Sequence, residues 1–136
     1  MTRGRKPNAI ITGSAPLDAK LKPPTWFSKD ARAEWLRVMP ILAARDTITE
    51  ADLPTLENYC TAIGAVREAQ REINKHGLIV DSAKGAKRNP AFGIQNAAMT
   101  TARLCASELG LTPVSRSRPS IRDGSDHDDD SAALGV

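Results

Sequence analysis

Apolar residues recur at helical spacing in three separate runs between Trp26 and Leu111, and each run is closed off by helix start and stop residues. That punctuation limits the chain to a small α-helical body, because a helical period does not settle into a half-buried strand. In the first run, Ala31, Trp35, Val38 and Leu42 fall on one face, Ser28 is the expected N-cap, and Asp30 sits in the first turn, where the helix dipole favours an acid. Pro40 removes a donor inside this run, so a kink or an early stop is expected there. The second run opens on Thr49-Glu50-Ala51-Asp52, which has the form of a capping box, with Pro54 just inside the start. Leu53, Leu56, Cys60 and Ile63 make one stripe, and Tyr59, Ile63, Val66 and Ile73 make the next. This helix is expected to reach about His76, with Gly77 as its stop.

Leu78-Ile79-Val80 is a short β-prone run, followed by the turn formers of residues 81–88, so a small hairpin or an ordered loop is expected. Lys84, Lys87 and Arg88 would ride on its tip. Asn89-Pro90 then supplies a cap and a first-turn proline for the third helix. Its expected buried face is Ile94, Ala98, Ala102, Cys105 and Leu109. Ala97, Ala98, Ala102 and Ala106 would let another helix approach closely, and Gly110 with Pro113 ends the run. The expected fold is therefore mainly α: a small helical bundle of about three helices with one short β-hairpin or ordered loop. A flexible basic arm over residues 1–24 precedes a helical core and oligomerisation domain over 25–114. A polar, disordered tail over 115–136 follows, basic and then acidic. A body of this size buries a modest fraction of its surface, and aromatics are only 4% of the chain, so self-association is expected.

Charge is distributed unevenly. Residues 1–24 carry Arg3, Arg5, Lys6, Lys20 and Lys22 against Asp18, a net of +4, while residues 25–110 are nearly neutral at +1. Arg116, Arg118 and Arg122 add +3 over 111–122, and five aspartates then bring 123–136 to −5. Basic ends point to a polyanion partner, because phosphate contact is the simplest use of exposed Lys and Arg. Arg3-Gly4-Arg5-Lys6-Pro7 is the sharpest local signal. It looks like the core of an AT-hook with Lys6 inserted before the proline, and both minor-groove insertion and plain phosphate binding fit it. On the second helix, Arg67, Arg71 and Lys75 form a row beside Glu68, Glu72 and His76. A solvated face with weak pairs is favoured there over a DNA-tracking row.

Nothing in the chain assembles a catalytic constellation. His76 and His127 have no nucleophile or second His at a useful spacing, and no phosphate-cradling GxxxxGK[ST] loop is present. Catalytic residues, cofactor and metal are all expected to be none, with the aspartates of 126–130 read as a solvated run. Cys60 and Cys105 belong to no metal-binding pair and are expected to be buried structural thiols in a reducing cytoplasm. No run approaches the ~20 apolar residues of a membrane span, and the N-terminus lacks the apolar core of a secretory signal.

In order along the chain stand GRKP (Gly4 to Pro7), PPTWFSKDARAEWLRVMPIL (Pro23 to Leu42), TEADLPTLENYC (Thr49 to Cys60), GLIVDSAKGAKRNPAFGIQNAA (Gly77 to Ala98) and ELGLTPVSRSR (Glu108 to Arg118). This ordered set resembles the small-subunit family of phage terminases, the DNA-packaging proteins of tailed bacteriophages, over residues 4–118. The tail from Pro119 lies outside it. The resemblance implies a non-enzymatic subunit in the host bacterial cytoplasm. Such a subunit recognises double-stranded viral DNA, presents it to the terminase large subunit and assembles into a ring. The DNA contacts expected are Arg3, Arg5 and Lys6, with Lys20 and Lys22 as phosphate support, then Lys84, Lys87 and Arg88 as a basic belt, then Arg116 and Arg118. Two other classes compete. A small transcription regulator would need a basic recognition helix, which Pro90-Ala91-Phe92-Gly93 does not offer, although residues 30–56 leave room for a helix-turn-helix. A protein-interaction adaptor would dock its Ala-rich helix on a partner.

Overall fold

The computed structural model describes residues 17–117. Four helices and one hairpin follow in order: α1 (Lys29–Ala44), α2 (Leu53–His76), β1 (Ile79–Ser82), β2 (Gly85–Arg88), α3 (Ala91–Glu108) and a short α4 (Pro113–Ser117). The three long helices and the hairpin are the expected mainly α bundle. α2 is its organising element and packs against both α1 and α3.

Ser28 caps α1, its hydroxyl accepting the Ala31 N–H at 3.2 Å, and Asp30 lies in the first turn. Of the kink or early stop expected at Pro40, the stop does not occur, and α1 continues to Ala44. Pro40 and Leu36, whose carbonyl would have taken the missing N–H, are both exposed. The lost bond therefore falls on the solvent side, where water can satisfy the carbonyl. A single 3₁₀ turn over Glu50–Asp52 leads into α2. There the Asp52 carboxylate accepts the Thr49 backbone N–H at 2.9 Å and the Thr49 hydroxyl at 3.1 Å, so the shorter acid still makes the return contact of the capping box. α2 ends at His76, and Gly77 leaves the helix at φ +83°, a conformation that favours glycine.

The main core joins Phe27, Trp35, Val38, Met39 and Leu42 from α1 and its approach to Leu56, Tyr59 and Cys60 from α2, with Ala102 and Leu109 from the far end of α3. Trp35 also fixes the incoming chain. Its indole N–H donates to the Leu21 carbonyl at 2.9 Å, and Leu17 packs against the same core. Residues 17–24, the end of the expected arm, are thereby tied to the bundle. A smaller cluster of Ala69, Ile73 and Ala91 closes the other end of the α2–α3 pair.

The buried face of α3 is rotated from the expected one. Ile94 is 60% exposed, whereas the adjacent Gln95 is buried. Gln95 escapes the cost of an unpaired amide by donating to the Gln70 side-chain carbonyl at 2.8 Å and the Val66 carbonyl at 3.4 Å. Ala102 and Leu109 keep their expected places, Ala98 and Cys105 are half-buried, and Cys60 is fully buried. At the C-terminal side, α3 ends at Glu108 just before Gly110, as expected, and Pro113 begins the separate turn of α4, which Thr112 and Ser115 brace by a 2.7 Å hydroxyl pair.

Candidate nucleic-acid interface

The hairpin gathers three of the expected cations on one short ribbon. Its register pairs Ile79 with Arg88, Val80 with Lys87, Asp81 with Ala86 and Ser82 with Gly85. Lys84 therefore sits in the two-residue turn. Lys87 and Arg88 project from opposite faces, because neighbouring strand residues alternate. The turn is held by Ser82, whose hydroxyl donates to the Gly85 carbonyl at 2.7 Å and accepts the Lys84 N–H at 3.3 Å. Gly85 takes φ +105°, which disfavours a side chain. Asn89 clamps the root. Its N–H continues the ladder to the Leu78 carbonyl at 2.8 Å, its amide donates to the Gly77 carbonyl at 3.0 Å, and its side-chain oxygen accepts the Ala91 N–H at 3.0 Å. One buried residue thus stops the ribbon and starts α3. Asp81 is the sole acid on the ribbon and shares the face of Arg88.

Lys20 and Lys22 are exposed on the segment that Trp35 holds. Arg116 is exposed on α4, its guanidinium reaching back to the Thr112 carbonyl at 3.3 Å. It lines a cavity of about 340 Å³ together with Arg45, Asp52, Glu108 and Ser115. Among the described residues, four ion pairs form, and none of them uses Lys20, Lys22, Lys84, Lys87, Arg88 or Arg116. Arg3, Arg5, Lys6 and Arg118 lie outside the described residues, as do the aspartates of 123–130.

The arginine row of α2 behaves differently. Arg67 donates to the Glu34 carboxylate at 3.3 Å, and Arg71 donates twice to Asp30, so both tie α2 to α1. His76 instead pairs along its own helix with Glu72 at 3.4 Å. Pairs form on this face as expected, but the arginines' partners come from another helix, and among the described residues Lys75 forms no ion pair. Glu34 is the hub. It also receives three Arg37 guanidinium bonds and the Tyr59 hydroxyl at 2.8 Å. Burial alone pushes its carboxyl up, but the hydrogen bonds from Arg37 and Tyr59 and the nearby Arg charges outweigh that and hold it below the ordinary glutamate value. Burial and the same carboxylate push Tyr59 up to about 12. These groups are mutually satisfied and structural.

A helix-turn-helix is not supported. The start of α2 presents Leu53, Pro54, Thr55, Glu57 and Asn58, and no base appears before Arg67, which α1 already holds. Among the described residues no group of acids, His and Cys is placed to hold a metal ion, and no helix is long and apolar enough to cross a membrane.

No curated protein and no solved structure matches the chain. A family model does, over residues 31–126, so its span begins inside α1, leaves the basic arm outside and runs eight residues beyond the resemblance read from the motifs. By this match over most of its length the chain belongs to the phage terminase small-subunit family.

Proposed function

We propose that this chain is the non-catalytic DNA-recognition subunit of a phage terminase. It binds the double-stranded viral genome, hands it to the large ATPase and nuclease subunit and regulates that subunit in the host cytoplasm. The observation that carries the reading is the family match combined with the fate of the cations. Arg37, Arg67 and Arg71 pair with Glu34 and Asp30 at half-exposed positions, while among the described residues the exposed lysines and arginines on the hairpin, the tethered segment and α4 form no ion pair, as is also true of Lys29, Arg32, Lys75 and Arg103 on the helices. Such charges gain most from releasing the counterions of a duplex. The basic 1–24 segment adds further cations, with Arg3, Arg5 and Lys6 as the leading DNA contacts. A ring of copies would repeat the basic hairpin as a belt, turning weak single contacts into a strong joint one.

The test separates the two basic groups. Replacing Arg3, Arg5 and Lys6 by Ala, and in a second variant Lys84 and Lys87 by Ala, should each weaken duplex retention by at least about tenfold at 0.1 M salt. Circular dichroism should stay unchanged. Unaltered retention in both variants would remove these residues from the mechanism. Mixed with a large subunit, the chain should alter ATP hydrolysis while hydrolysing none alone. Robust hydrolysis by the isolated chain contradicts the reading.

A further inference from the structure

The hairpin carries an apolar ridge that its own chain does not cover. Ile79 is 61% exposed, and the adjoining Leu78 is exposed at the root. The face of Ile79 also bears Arg88, its direct cross-strand partner at the root, and Asp81 nearer the turn. The strands contact mainly each other. A lone two-stranded ribbon is marginal in water and gains its stability by packing on something else.

α3 offers the complementary surface. Ile94, Ala97, Thr101 and Leu104 fall at i, i+3, i+7 and i+10, the spacing of an interhelical seam, and Ile94 and Leu104 are 60% and 58% exposed. Beside Ile94 lies a shallow depression of about 300 Å³ with Ala65, Ala69 and Ala91 at its base and Glu68 and Glu72 on its rim. Among the described residues, Glu68 forms no ion pair and Glu72 only the His76 contact. An apolar slot with an acidic edge thus stands on one part of the surface, and on another an apolar ridge with Arg88 at its root end and Asp81 toward the turn.

We propose that the hairpin of one copy seats on the α2–α3 face of a second copy, Ile79 against Ile94 and Arg88 against Glu68 and Glu72. The inference rests on the self-assembly reading above and names its contact. The two surfaces differ, so the contact is head-to-tail and repeats until the rotation closes a ring. Lys87, on the opposite face of the ribbon, and Lys84, in its turn, stay free for phosphate.

A charge reversal tests it. Light scattering after size exclusion gives the mass of the full chain, and circular dichroism reports its helices. Arg88→Glu alone, and Glu68→Arg with Glu72→Arg, should each raise the concentration for half-assembly by at least about tenfold, and the three together should restore it. Ile79→Glu, at an exposed position that a fold tolerates, should also dissociate the assembly. A dimer lost through the same substitutions would keep this contact and exclude the ring. Full assembly in every variant would overturn the contact and leave self-assembly standing. Unchanged mass with lost stimulation of the large subunit would overturn it too, assigning the face to that subunit. A wild-type chain that stays at 14.6 kDa would overturn both readings.

Discussion

The Glu34 carboxylate is 1% exposed and collects Arg37 from its own helix and Tyr59 and Arg67 from α2. Removing it leaves the buried Tyr59 hydroxyl without its acceptor, while the half-exposed Arg37 and Arg67 guanidinium groups turn to water, so Glu34→Ala should cost about 1–3 kcal/mol in urea unfolding. Its pH dependence has a definite sign. A carboxyl held below its unfolded value, 4.5, contributes stability that is fully present above that value and is lost as pH falls through the lower, folded one. Asp30, held down mainly by its Arg71 hydrogen bonds, acts the same way. Wild-type stability should therefore fall as pH drops below about 4.5, and less steeply in Glu34→Gln, as followed by thermal melts. Burial pushes the Cys60 thiol up to about 12, whereas Cys105 is only half-buried. A thiol reagent should label one cysteine in the native chain and two after unfolding. The arginine row of α2 was legible as a paired face, but its partners were not. Asp30 and Glu34 stand more than thirty positions upstream, and no spacing rule within α2 reaches them.

At the scale of elements, helix number, start signals and stop signals were readable because caps act locally. Ser28, Thr49 with Asp52, Gly77 and Asn89 all do locally what their types permit. The early stop at Pro40 is absent because the cost of a proline depends on where the orphaned carbonyl points, which composition does not encode. The phase of α3 misled because hydrophobicity places Ile94 inside and Gln95 outside. A long-range amide pair with Gln70 reverses the two. Gly64 went unremarked, although a glycine inside a helix costs about 1 kcal/mol and so signals a reason for being there. A Cβ at that position would lie 2.9 Å from the Ser28 hydroxyl and 3.1 Å from the Ala31 nitrogen, so glycine sets the closeness of α1 to α2. Gly64→Ala should destabilise by about 1–3 kcal/mol and lower the melting temperature by several degrees. An unchanged melt would mean that the two helices separate without cost.

For the whole molecule, the basic surface was legible as a list of residues and not as an arrangement. Lys84, Lys87 and Arg88 were readable as a group because a short hairpin imposes its own geometry. Their division between two faces needed the register, and the role proposed for Arg88 needed the exposed faces of α3. The proposed function comes down to one claim: basic side chains that form no ion pair among the described residues bind a duplex. The most direct measurement is fluorescence anisotropy of a labelled duplex titrated with the full chain from 50 to 300 mM salt. The expected result is tight binding at low salt, with log affinity against log salt falling at a slope of about −3 or steeper, as several phosphate contacts require. A duplex left unbound at 50 mM salt, or bound with a flat salt dependence, would contradict the account.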